Sequence, residues 1–471
     1  MSIVDCELDP SRSDPRDPSF RDDDDEHPRL DGRGEIITGQ DPHPRQKARR
    51  GERAGASSVD CSILPLLVIA AMSAIGCSAD RTPDAQLVIT DVTLLAAPGE
   101  PAVNGATLVF EHERVSAILT HGEVPPLAKT TLGGRGLFAT AGFWNSHVHF
   151  TEPVFHDAAS APVDQLQGGL ERMLNRYGFA SVVDTGSDLG NTVALRARIE
   201  SGELRGPRIR TTGAGFVPPD GSPAYLDVPL PELDSVDTAT RLPAQRLDDG
   251  ADALKLFTGT FLGVGNIAIM PVDLVTAAAE QAHQRDKLAI AHPQSLEGVQ
   301  AALAGGVDIV AHTAPGGGPW PPALLDDLIG RGIVVIPTLM LWRVELSRQN
   351  PPVPAPIIDS YEQDAVVQIA SFASRDGIVM FGTDVGYIDQ YDPTEEYRLL
   401  AAAGLTYDQV LASLTTNPAH VWGNPAAGTL QVGNPGDVVL LADDPRADLR
   451  HFARVEFLVR GGRIVFGSSG K

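Results

Sequence analysis

Cysteine is scarce. Only Cys6, Cys61 and Cys77 occur in 471 residues. The long stretch after Cys77 therefore has no disulfide framework and no thiolate metal site, and a metal bound there must take nitrogen and oxygen ligands. Basic charge is also short: 37 Lys and Arg stand against 61 Asp and Glu, a net charge of −24. Phosphate backbones need a basic surface, so this balance argues against a nucleic-acid partner. Long apolar runs are missing too. Residues 63–75 form an uncharged run of 13, whereas a membrane-spanning helix needs about 20. What remains is ordinary for a globular protein, 42% hydrophobic and 21% charged, and the chain is long enough for a large core and more than one domain.

Residues 1–60 are polar, rich in Asp, Arg, Pro and Gly, and carry "DDDDE" at 22–26 without apolar periodicity. They read as a disordered extension. The run at 63–75 follows a basic flank of Lys47, Arg49, Arg50 and Arg53, the layout of an export signal over residues 61–77. "AIGC" at 74–77 resembles a bacterial lipobox. The resemblance implies lipidation of Cys77 and a lipid-anchored protein of the bacterial cell envelope, with a cytoplasmic location as the alternative. The 60-residue preamble exceeds any ordinary leader and fits an upstream start codon taken in place of the true one.

The rest divides by pattern. "QLVITDVTLL", "ATLVFE" and "RVSAIL" read as short strands between turns, as do "DVVLLADDP" and "RVEFLVRGGRIVF" at the far end, where Gly461 and Gly462 suit a two-residue hairpin turn. Residues 84–137 and 425–471 are thus expected to build one small β-sandwich from both ends of the mature chain. Between them, residues 138–424 alternate strand and helix. Strands are expected at "GFWNSHVHF", "FASVVDTG", "RIRTTGAG", "ADALKLFTG", "LAIAHPQ", "VDIVAHTAP", "GIVVIPTL" and "GIVMFGTDVG". Eight such units predict an α/β fold, a (β/α)8 TIM barrel, with functional residues at the C-terminal ends of the strands. Beyond the last strand, Thr406 and Gln409 form a capping box, Pro418 suits a first helical turn and Gly423 a helix stop.

Those strand ends carry His147 and His149, then Lys255, His292, His312 and Asp384. Residues two apart on a strand point to one side, so His147 and His149 can reach one ion. Each of the other histidines sits where an apolar strand meets its loop. A histidine in a strand is more often a hydrogen-bonded core residue, and an aspartate there more often a cap, so the ordered set matters more than any member. Lys255 is the unusual one. It lies inside "ALKLF", where an unpaired ammonium is costly. A buried lysine readily loses its proton, and a neutral amine can take up carbon dioxide as a carbamate.

In this order and spacing, "GFWNSHVHF", "ADALKLFTG", "AIAHPQSLEG", "GVDIVAHTAP" and "MFGTDVG", together with "LRGPRI", "GLTYDQVLASLTTNPA" and "GTLQVGNPGDVVLLADDP", resemble the metal-dependent amidohydrolase superfamily in its imidazolonepropionase-like and prolidase-like branch. The resemblance covers about residues 86–468. It implies one divalent ion on His147, His149 and Asp384, a second on His292 and His312, and a carboxylated Lys255 bridging them. Zinc is the default metal for such ligands. Asp384 is implied as the catalytic proton carrier and a hydroxide shared by the ions as the nucleophile. One departure is Ala141 where the family has proline, which concerns a turn and no ligand. A true imidazolonepropionase resembles a single-metal version without the lysine.

The implied reaction is hydrolysis of an amide in a small substrate such as a dipeptide or an N-acyl amino acid. A lactone or ester hydrolase on the same site, and a non-catalytic ligand-binding envelope lipoprotein, are the alternatives. "FVPPDGSPAYLD" and "MLWRVEL" are expected to line the pocket. Arg343 could bind a substrate carboxylate or lie on a helix surface, and Tyr387 could reach substrate. Trp144 and His156 suit core or loop roles equally well. A homo-oligomer stays open.

Overall fold

The computed structural model describes residues 85–226 and 228–467. Cys77, the expected export signal and the polar extension lie outside the described residues. Among the described residues no helix is long and apolar enough to cross a membrane.

Strand Ala85–Leu94 is the hub of an eight-stranded sheet. It pairs antiparallel with Val103–Glu111 on one side. On the other it pairs in parallel first with Ala128–Gly133 and then with Phe138–Ala141. Val438–Leu441 joins antiparallel to Phe138–Ala141, and Val455–Arg460 and Arg463–Phe466 follow. Strands from both ends of the described chain do meet, in one hydrogen-bonded sheet. Gly461 and Gly462 have φ of 55° and 68°, the left-handed pair that a tight hairpin turn requires.

The run "VVLL" at 438–441 is apolar throughout because both its faces are covered. Val438 and Leu440 pack with Leu87, Ile89 and Phe110 inside the sheet's own core. Val439 and Leu441 pack with Phe143, Phe179 and Phe452 against the α/β part. A strand buried on both sides loses the apolar–polar alternation of a half-exposed one.

In the α/β part, Phe143–Val148, Phe179–Asp184 and Arg208–Thr211 form one parallel set. Ala253–Phe257, Leu288–His292, Ile309–Ala311 and Val334–Ile336 form another. A bridge between Phe216 and Leu256 joins the sets. The eighth expected strand, "GIVMFGTDVG", makes isolated bridges only: Val379 to Val335, and Val385 to Val148. Asp384, at φ 63°, turns the chain out of the extended form before a ladder can run on. Helices alternate with these segments, among them Leu189–Glu200, Val272–His283, Leu296–Ala304 and Pro322–Gly330. Val183, Ala253, Ile290, Ile309, Ile336 and Met380 pack into one buried cluster that reaches Trp422. Thr406 and Gln409 make the expected capping box at the start of Tyr407–Leu414. The hairpin Gly259–Gly263 and Asn266–Ile269, directly after the Lys255 strand, was not expected.

Candidate active site

His147 is the penultimate residue of strand Phe143–Val148, and His149 follows that strand. Both reach Asp384 Oδ1, at 3.3 Å from His147 Nε2 and 2.9 Å from His149 Nε2. Ligand atoms of the three residues lie within 4.8 Å of one another. Local bonds impose this meeting. The Asn145 side-chain amide donates to Thr383 Oγ1 (2.7 Å), its oxygen accepts from Thr383 N (3.2 Å), and Asp384 N donates to the His147 carbonyl (2.9 Å). At Gly386 an added Cβ would fall 1.8 Å from the His149 carbonyl oxygen, so only glycine lets the chain pass there.

Despite their closeness, His147 Nδ1, His147 Nε2 and Asp384 Oδ1 are buried without a hydrogen-bond partner. Buried polar atoms are nearly always satisfied. Nitrogen and carboxylate atoms converging with no proton shared between them form a donor set fitted to a cation.

Lys255, His292 and His312 complete the cluster. The His312 ring lies 4.5 Å from that of His147 and 4.7 Å from that of His292, centre to centre. His312 Nδ1 is 2.7 Å from Thr338 Oγ1, and the Thr338 hydroxyl donates to the Pro337 carbonyl (2.9 Å). With its own hydrogen directed at the Pro337 carbonyl, the threonine oxygen can accept from Nδ1–H, the tautomer in which Nε2 keeps a free lone pair. By the same logic Gln294 Oε1, 3.1 Å from His292 Nε2, accepts a hydrogen bond from Nε2–H in the tautomer that leaves Nδ1 free.

Electrostatics follow from burial. Lys255 is 2% exposed and no carboxylate among the described residues lies within ion-pair reach. Burial pushes its amine down to about 8, against the pull of Asp384 and Asp184. Burial, then the charge of Lys255, pushes His147 and His292 each down to about 3, and burial holds His312 well below its usual range. Burial pushes Asp384 up, but the charge and close approach of His147, with His149 and His312, hold it well below the usual carboxylate range.

These shifts predict an acid-sensitive metal-free protein. A depressed folded-state pKa means that the unfolded chain binds protons first as pH falls from about 6.5 toward 3. Stability from His147, His292 and His312 is complete above about 6.5 and lost below it. The melting temperature after chelation should be lower at about pH 5 than at about pH 7.5, and an unchanged or higher value at the lower pH would contradict the burial argument.

Aromatic rings border the cluster. Phe257 lies 4.8 Å from His292, Trp342 6.5 Å from His312, and Tyr387 6.5 Å from His149. The Tyr387 hydroxyl donates to Glu345 (2.7 Å), and the Tyr225 ring stands 5.5 Å from the Tyr387 ring. Tyr225 was not singled out in the sequence. It lies in an irregular loop held by Ala224 N donating to the Phe261 carbonyl of the hairpin (3.0 Å). Arg343 is not brought to the cluster. Its guanidinium donates to Glu362 (2.6 Å) and Asp359 (2.8 Å) on the neighbouring helix. Trp144 is a packing residue under the Arg210 guanidinium, 4.8 Å from its ring, and His156 bonds within its loop to the Thr151 carbonyl.

This arrangement has counterparts. The dihydroorotase of Latilactobacillus sakei subsp. sakei (strain 23K) is 24% identical over 390 residues, 70% of this chain and 84% of its own. The ochratoxinase of Aspergillus niger is 21% identical over 422 residues, 79% of this chain and 85% of its own. The crystal structure of a Xaa-Pro dipeptidase with methionine in its active site superposes with a TM-score of 0.70 at 20% identity, covering 81% of this chain and 100% of that one. That likeness is one of fold. A sequence profile of the amidohydrolase family matches residues 138–465. With the histidine–aspartate cluster at its centre, the chain belongs to the amidohydrolase family, hydrolases acting on carbon–nitrogen bonds.

Proposed function

We propose that the chain is a binuclear amidohydrolase of the prolidase-like branch, hydrolysing an amide in a small substrate such as a dipeptide or N-acyl amino acid. The observation that carries this reading is the convergence of partnerless His147 and Asp384 atoms beside a buried lysine that has no ion-pair partner among the described residues. His147, His149 and Asp384 would hold one ion, His292 Nδ1 and His312 Nε2 the second, and Lys255, as a carbamate, both. Two divalent ions bound there supply Lewis acidity toward a carbonyl oxygen and lower the pKa of water. Asp384 takes the proton of the attacking water and delivers it to the leaving amine. The bridges linking the two parallel sets and the 377–385 segment support a closed (β/α)8 barrel around this centre.

Metal analysis of protein purified without chelator, with turnover of dipeptides and N-acyl amino acids, tests the reading. About two ions per chain and hydrolysis of an amide are expected; a single ion with a free Lys255 amine would refute it. Tyr225 and Tyr387 are proposed to wall the substrate pocket on the His149 side. Tyr225→Ala should raise KM about 2- to 10-fold for substrates with an aromatic group, the worth of one aromatic contact, and leave small aliphatic substrates little changed. Equal effects on both classes would place Tyr225 outside the pocket.

A further inference from the structure

Helix Leu339–Ser347 begins immediately after Thr338. A threonine in that position normally caps the helix with its own side chain. Here it makes no such bond. The first two helical N–H groups, of Leu339 and Met340, donate instead to the two oxygens of Glu396, at 2.9 and 2.8 Å. Glu396 is fully buried on helix Thr394–Ala402 and has no cationic partner among the described residues. Burial pushes its carboxyl up to about 8, against the pull of these two N–H bonds, and its two oxygens answer the orphan donors at the helix start.

Relieved of capping, the Thr338 hydroxyl turns toward His312. It accepts from His312 Nδ1 at 2.7 Å and donates to the Pro337 carbonyl at 2.9 Å. The backbone there is left-handed, φ 43° and ψ 52°, a costly state for a β-branched residue. His312, at φ 70°, shares the strain. Strain of this kind persists where surrounding contacts over-determine it, and here those contacts end on one imidazole.

We propose that Glu396 and Thr338 are positioning residues for His312: Glu396 caps the helix in place of Thr338, and the freed hydroxyl fixes the ring and tautomer that present Nε2 to the second ion. This rests on the binuclear reading. Neither residue need touch substrate.

The test compares Glu396→Gln, Thr338→Val and Thr338→Ser with the wild type. Gln keeps the volume of Glu but can accept from only one of the two N–H groups without turning its own NH2 toward the other. Val keeps the shape of Thr without the hydroxyl, and Ser keeps the hydroxyl without the branch. Each metal-loaded protein is titrated with a chelator while metal content is followed. In Glu396→Gln and Thr338→Val, one ion of the two should bind about 10- to 100-fold more weakly, the usual cost of losing a partner behind a metal ligand. The other ion should be held as in the wild type, and Thr338→Ser should retain both. In the metal-free protein, nitrogen-15 shifts should show His312 protonated at Nδ1 in the wild type and Thr338→Ser, and no longer uniformly so in Thr338→Val. A purely structural role would lower the melting temperature without releasing one ion selectively. If Glu396→Gln fails to fold, Thr338→Val, which leaves the cap in place, decides. Two ions held with wild-type affinity in Thr338→Val overturn the proposal alone, whereas a wild type that binds one ion overturns the binuclear reading as well.

Discussion

Asp384→Asn should keep the fold and lose roughly 10²–10⁴-fold or more in turnover, the range for removing a proton carrier. The substitution keeps size and shape. Asn also tolerates the left-handed backbone that Asp384 adopts at φ 63°, so the turn after Gly382 survives. What goes is charge and proton affinity. The carboxylate is buried, with His147 and His149 at 3.3 and 2.9 Å, and these neighbours keep it ionised far into acid. A neutral amide can still offer an oxygen to an ion, but it cannot take a proton from water and return it to a departing amine. Circular dichroism should match the wild type while kcat at saturating substrate collapses. Turnover within a few-fold of wild type would remove Asp384 from proton transfer.

The sequence made His292 and His312 legible because each stands where an apolar run stops, and Lys255 because it interrupts one. His292 follows "AIA" and His312 follows "IVA", and a polar group at such a boundary has few uses in packing. The same holds for the capping box at Thr406, whose two bonds are local. Legibility falls wherever the partner is distant in sequence. Arg343 looked available until Glu362 and Asp359 were found beside it. Tyr225 lies in a loop with no periodicity, and its place over Tyr387 depends on a hairpin that no pattern announced. Strand pairing is the third case. Alternation along Ala85–Leu94 says which residues share a face, but not that one long strand gives one edge to two partners in turn. Likewise, nothing in "GIVMFGTDVG" revealed that Asp384 would leave the extended form, although that kink is part of what aims its carboxylate at the histidines.

Lys255→Ala should lower the metal content from about two ions per chain and reduce turnover by roughly 10³-fold or more. On the proposed binuclear reading, loss of bridging ligation would remove several kcal/mol of charge stabilisation, at about 1.4 kcal/mol for each tenfold in rate. The amine sits inside an apolar strand. Leu254 and Leu256 flank it at zero exposure, and burial pushes it down to about 8. About a tenth of the amine is then neutral at pH 7, enough to react. In the proposed step the neutral nitrogen would bond to the carbon of carbon dioxide and release one proton; counted from the ammonium two protons leave in all, and a buried cation would become an anion with two oxygens. That anion would face the lone pairs of His292, His312 and His147, the charge arrangement two dications need. Two further results separate this account from a lysine that merely fills space. Acetate or propionate should partly restore Lys255→Ala, because a small carboxylate fits the vacated volume and brings the missing oxygens, but should not restore Lys255→Met, where the volume is filled. Stripping carbon dioxide during metal loading should impair the wild type and leave Lys255→Ala unaffected. Full metal content and turnover in Lys255→Ala would refute the carbamate and leave the lysine a packing role.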